Sequence, residues 1–187
     1  MIGKTKFFAG LVGLVLLVLV AGCKDDDPQP AFEYQTQGFI KGKFTGVSKD
    51  NSYTFNEDFN YSQYSILFGG FAEYEINDDG SYSVQLYRAN FASLGAATIR
   101  FELDNATDTT PDNVIISFEY NKELNDKFLT FTMESDFDNT TTVTDLTFDS
   151  GTGRFKGKFS LTGADNSSGK NASVTGEFDL IAKRPVQ

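Results

Sequence analysis

From Phe39 onward, apolar side chains recur at every second position, and this alternation confines the fold to sheet. A strand points successive side chains to opposite faces, so a period of two buries one face and wets the other. Phe39 to Val47 places Ile40 and Phe44 together. Ser81 to Arg88 groups Tyr82, Val84 and Leu86, and Thr98 to Asp104 groups Ile99, Phe101 and Leu103. Val114 to Tyr120 gives Val114, Ile116, Phe118 and Tyr120, while Lys127 to Ser135 gives Leu129, Phe131 and Met133. Thr142 to Asp149 places Thr144, Leu146 and Phe148 on one side. Arg154 to Leu161 gives Phe155, Gly157, Phe159 and Leu161, and Ser173 to Ile181 gives Val174, Gly176, Phe178 and Leu180. Gln63 to Ile76 is interrupted by Gly69-Gly70 and reads as one bent strand or two. No window after residue 30 sustains a helical period, although Asn90 to Ala97 suits one turn or a short helix.

Turn residues separate these windows. Asn77-Asp78-Asp79-Gly80 predicts a tight hairpin, because Asp-Gly supplies the positive φ such turns need. Asp149 to Gly153 and Asn121 to Asp126 predict two more, and Asn105 to Asn113 and Gly163 to Asn171 are longer polar loops. The reading is an all-β, antiparallel meander of about nine strands, either barrel-like in the manner of lipocalins or a two-sheet sandwich. Nineteen Phe and eight Tyr against no Trp suit half-buried pleated surfaces. Lys41-Gly42-Lys43-Phe44 recurs as Lys156-Gly157-Lys158-Phe159, with Gly176-Glu177-Phe178 in the last strand. This pattern favours close packing where the terminal strands meet, and with it closure. The second face carries Lys41, Lys43, Arg88, Arg100, Glu102, Asp145, Lys156, Lys158, Glu177 and Asp179, so it belongs in water. A transmembrane barrel needs an apolar outer band there and is rejected.

The first residues carry a different signal. Lys4 and Lys6 precede an apolar run from Phe7 to Val20, short for a bilayer span and right for an export signal. It ends in Val20-Ala21-Gly22-Cys23, which resembles the lipobox of bacterial lipoproteins, with Val20 in place of the commoner Leu. The resemblance implies cleavage before Cys23 and lipid (palmitate among the acyl chains) on that residue, the only Cys in the chain. The chain then divides into a signal over 1–22, a lipidated Cys and tether over 23–36, and one β domain over 37–187. Lys24-Asp25-Asp26-Asp27 resembles the surface-export signal of Bacteroidota lipoproteins and implies an outer-membrane protein facing the exterior. A charged tether would explain the same run. Thr142 to Lys183 resembles the closing hairpins of small Bacteroidota lipoprotein domains of unknown function. Its motifs are turns, Gly and Phe, so no catalytic residue carries over.

Charge and missing residue types narrow the function. Without Lys4 and Lys6, 14 of the 16 basic side chains remain against 26 acidic ones, a net charge of −12 and no basic patch for nucleic acid. There is no His, so imidazole triads and imidazole metal sites are excluded. No phosphate loop or GxSxG elbow occurs, and no cofactor is implied. Carboxylate-pair hydrolysis would draw on Glu57, Asp58, Glu73, Glu75, Glu102, Glu119 or Glu134, most of them on solvated faces. Asp104, Asp108 and Asp112 surround one loop and are calcium candidates, as are Asp136 and Asp138, though turn formation explains such residues equally well. Tyr53, Tyr61, Tyr64, Tyr74 and Tyr87 suit either core packing or stacking on sugars. Asp108-Thr109-Thr110 resembles the short O-glycosylation motif of Bacteroidota, with Thr109 as acceptor. The leading expectation is a non-catalytic binding or accessory module, anchored through Cys23, taking a glycan or a small apolar ligand. The alternative is a structural or adhesive envelope component, and a carboxylate hydrolase comes last.

Overall fold

The computed structural model describes residues 37–64, 71–135, 140–165 and 171–184. The signal, Cys23, the tether through residue 36, Gly69-Gly70, Asp136 and Asp138 lie outside the described residues. Ten strands occur among those described: β1 Gly38–Val47, β2 Thr54–Tyr61, β3 Glu73–Ile76, β4 Tyr82–Asn90, β5 Gly95–Leu103, β6 Asp112–Leu124, β7 Lys127–Glu134, β8 Thr140–Asp149, β9 Arg154–Asp165 and β10 Asn171–Ile181. They form two five-stranded sheets, in the orders β2-β1-β10-β9-β8 and β3-β4-β5-β6-β7. Every ladder is antiparallel.

The fold is a two-sheet sandwich, and the lipocalin-like barrel is not formed. The reason lies in how the sheets cross. Along β4, the Tyr82 ring lies 5.6 Å from Phe148 of β8, whereas Arg88 donates to the Gly38 carbonyl of β1. One strand therefore spans most of the width of the other sheet, from the β8 margin toward the β2 margin. Crossing strands meet at corners rather than along ladders. Two single bridges mark the corners, Gln63↔Ala89 and Glu73↔Lys183.

The expected meeting of the terminal strands is present. β1 pairs with β10 in a register that sets Gly42 opposite Gly176. In the next ladder Gly176 faces Phe159, and Gly157 faces Phe178. A Cβ on Gly157 would stand 2.7 Å from the Phe178 ring, so the missing side chains make room for rings on the neighbouring strand.

The core between the sheets is aromatic. Phe44 is fully buried, with the rings of Phe55, Phe59, Phe118, Tyr120 and Phe131 centred 4.8–6.4 Å away. Distances of this size suit tilted ring pairs.

Four readings change. β2 was not expected as a strand, because its inward positions are Phe55, Glu57, Phe59 and Tyr61, and an inward carboxylate breaks the apolar pattern. The turn or helix over 90–97 is only the turn 91–94, after which β5 begins. Thr144 is exposed, since a bulge at Asp145 (φ 52°) shifts the register and turns Val143 and Leu146 inward. Arg88, placed in water by its charge, is 0% exposed. The three hairpins do form, with positive φ at Gly80, Gly153, Asn125 and Asp126, but the third turn is only Asn125-Asp126, because Asn121 to Leu124 continue β6 in its ladder with β7.

Phe44→Ala is expected to lower unfolding free energy by about 3–5 kcal/mol in urea titration. Phe128→Ala, at a ring 61% exposed, should change it by less than about 0.5 kcal/mol.

Candidate functional site

The outward positions of four adjacent strands build a depression of about 340 Å³ on the β3-β4-β5-β6 face. Strand register lays its side chains out in rows. Glu73 faces Gln85, Gln85 faces Arg100, and Arg100 faces Ile115. Beside them Glu75 faces Ser83, and Ser83 faces Glu102. A register shift after Arg100, with Asn113 at φ 52°, brings the Asn113 amide to Glu102.

These groups hold one another in place. The Arg100 Nε donates to Gln85 Oε1 at 2.8 Å, and the Gln85 amide nitrogen donates to the Phe71 carbonyl at 3.3 Å. Asn113 Nδ2 donates to Glu102 Oε2 at 2.6 Å. Ile115, 44% exposed, supplies an apolar shelf. Planar amide, guanidinium and carboxylate groups carry paired donors or acceptors, which match vicinal hydroxyls.

A second polar group lies between the sheets. The inward Glu57 of β2 accepts from Lys122 Nζ of β6 at 2.7 Å and from Tyr53 OH at 3.1 Å, both on Oε1. Tyr120 OH donates to its other oxygen at 3.1 Å. Burial raises the Glu57 carboxyl, but the donated hydrogen bonds and the Lys122 charge outweigh it, and the group lies below its ordinary 4.5. The hydrogen bond to Glu57 raises Lys122 in turn. Arg88 is more deeply enclosed. Its Nη1 donates to the Tyr87 carbonyl at 2.7 Å, Nη2 to the Gln37 carbonyl and Nε to Gly38. Burial pushes Arg88 down to about 10, so it stays charged at neutral pH.

Of the carboxylates singled out from the sequence, Glu73, Glu75 and Glu102 come together in the depression. Glu57 turns inward, and Asp58 lies on the other sheet's outer face beside Lys41, Lys43 and Lys158. Glu119 accepts from Asn121, and Glu134 accepts from Ser117. In the calcium-candidate loop, the Asp108 oxygens accept the backbone N–H of Asp104 at 3.1 Å and of Thr110 at 2.8 Å. These backbone bonds, that from Thr110 first, hold Asp108 below its ordinary value. Asp104 and Asp112 flank the same loop, but no group of three or more acids or thiols placed to hold a metal ion occurs among the described residues. Thr109 is exposed.

Of the tyrosines singled out from the sequence, Tyr61, Tyr74 and Tyr87 are buried, Tyr53 packs on Phe55 at 4.9 Å and Tyr64 is half-buried. Only strand pairing brings Arg100, Gln85, Asn113 and Ile115 together, so no local stretch of sequence marks them as a set. Comparison with protein-family models, curated proteins and solved structures finds no match.

A carboxylate whose folded-state pKa lies below its unfolded value adds stability above the unfolded value and loses it as the pH falls through the folded one. Glu57→Gln should therefore lower stability at pH 7, by about 1–2 kcal/mol for the loss of charge-assisted hydrogen bonds. It should also flatten the fall in stability below the ordinary 4.5. Urea titrations from neutral to acid pH check both.

Proposed function

We propose that the chain is a lipid-anchored binding module displayed at the outer membrane, catalysing no reaction itself. The depression on the outer face of the β3-β4-β5-β6 sheet carries this reading. Arg100 with Gln85 and Asn113 with Glu102 are held by mutual hydrogen bonds, and the polar side chains lie in rows across the strands, open to solvent. A site held on strands keeps its geometry without an ordering cost at binding. The chemistry of those groups favours a glycan over an apolar ligand. The anchor and outward display rest on Cys23 and on Lys24-Asp25-Asp26-Asp27.

Adhesive assembly through strand edges has less support. Of the four sheet edges, β2 and β7 are eight residues long, whereas β3 has only four and β8 carries the Asp145 bulge. Short and bulged edges resist pairing with further chains.

In a Bacteroidota host, the full chain should take up labelled palmitate and be cut by protease added to intact cells. Cys23→Ala should take up no label and keep residues 1–22. Replacing residues 24–27 by Ala should keep the label and remove the protease sensitivity. Label on Cys23→Ala, or unchanged shaving of the 24–27 variant, would overturn the anchoring and display.

On a glycan array, cells displaying the chain should retain a polar glycan. Arg100→Ala should weaken that retention about tenfold, near 1.4 kcal/mol, while Lys43→Ala leaves it unchanged. Equal retention by Arg100→Ala would place binding elsewhere.

A further inference from the structure

The β4–β5 turn exposes two large apolar side chains that the domain itself does not need. Phe91 is 45% exposed and Leu94 58%, and neither belongs to the buried core. Leu94 takes φ 49°, the left-handed region in which Gly, Asn or Asp is the ordinary occupant. A bulky residue there is strained, and strain at an exposed position points toward function. Asn would satisfy the turn without strain and without an exposed apolar group.

The turn is also suited to leaving water. From Ala89 to Thr98 no side chain is ionisable, in a chain of net charge −10. Four of its backbone polar groups find partners locally. The Phe91 N–H donates to Gln63 Oε1 at 2.7 Å, and those of Ala92 and Ser93 to Asn90 Oδ1 at 2.9 and 3.3 Å. Asn121 Nδ2 donates to the Leu94 carbonyl at 2.8 Å. Satisfied backbone groups are what an apolar medium demands.

The position of the turn relative to the anchor completes the case. Arg88 binds the carbonyls of Gln37 and Gly38, where the chain coming from Cys23 enters the sheet. Phe91 is three residues further along, about 10 Å at strand rise. The turn therefore lies beside the point from which the tether leads to the lipid.

We propose that the β4–β5 turn inserts Phe91 and Leu94 into the interfacial layer of the bilayer that carries the anchor, so that the domain rests on the membrane by this turn as well as by its lipid. The proposal rests on lipid attachment at Cys23. Interfacial binding of this kind follows the apolar area buried, and the turn itself contributes no carboxylate; the nearby Glu119 is hydrogen-bonded to the same Asn121 amide that holds the Leu94 carbonyl. It also fixes which surfaces of the domain face away from the membrane.

The chain has no Trp, so Phe91→Trp introduces a single reporter. The lipidated full-length variant is reconstituted into phosphatidylethanolamine–phosphatidylglycerol vesicles with brominated acyl chains. Emission is expected to shift to the blue and to be quenched several-fold relative to unbrominated vesicles. Thr144→Trp, on the exposed side of β8, should keep solvent-like emission in both. Adding Leu94→Asn to Phe91→Trp should leave the domain as stable or more so in urea titration, yet reduce the quenching. Solvent-like, unquenched emission from position 91 in protein that floats with the vesicles would overturn the proposal. A blue shift without bromine quenching, as a second copy covering the turn would give, would overturn it too. Protein that does not float with the vesicles lacks the anchor, and the insertion falls with it.

Discussion

The antiparallel ladder between β1 and β10 joins the two ends of the domain into one five-stranded sheet. Without it, one sheet would separate into the β1–β2 hairpin and the three-stranded β8-β9-β10 meander, pieces too small to present a continuous core face. Glycines at 157 and 176 let Phe178 and Phe159 lie across neighbouring strands, and Gly42 and Gly176 sit opposite each other in the join. This broad face is what the second sheet crosses. Phe44, at the middle of β1, then contacts rings from both sheets.

Two polar groups tie the sheets together near the β1–β2 side. Glu57 reaches Lys122 and Tyr120 across the core, and Arg88 reaches the carbonyls at the start of β1. Partly buried ion pairs add little net stability compared with apolar packing of equal volume, but breaking one partner is costly. Here each group is satisfied only when the two sheets cross in one register.

The two surfaces read as functional lie on the same sheet and have opposite character. The depression around Arg100 and Glu102 is polar and held by hydrogen bonds within a rigid face. The β4–β5 turn is apolar, uncharged and strained at Leu94. Under the proposed lipid anchoring, the turn beside the tether would meet the bilayer and the strand face would be left for a ligand.

The class of fold, most strand positions and three hairpins are legible in the sequence, and the Gly-Phe pattern hints at the meeting of the terminal strands while shared composition would explain it equally well. These follow from local rules: a period of two, turn residues with positive φ, and glycines facing rings. Its polar positions misled where a charge points inward. Glu57 hid β2, and Arg88 was placed in water although it shares the parity of Tyr82, Val84 and Leu86. At the site, Glu73, Glu75 and Glu102 were legible only as scattered carboxylates. Their grouping with Gln85, Arg100, Asn113 and Ile115 was decided by strand register, a long-range property that no local window contains. Sandwich over barrel was likewise a tertiary decision, because alternation fixes which face of a strand is buried and says nothing of the angle at which the two buried faces cross.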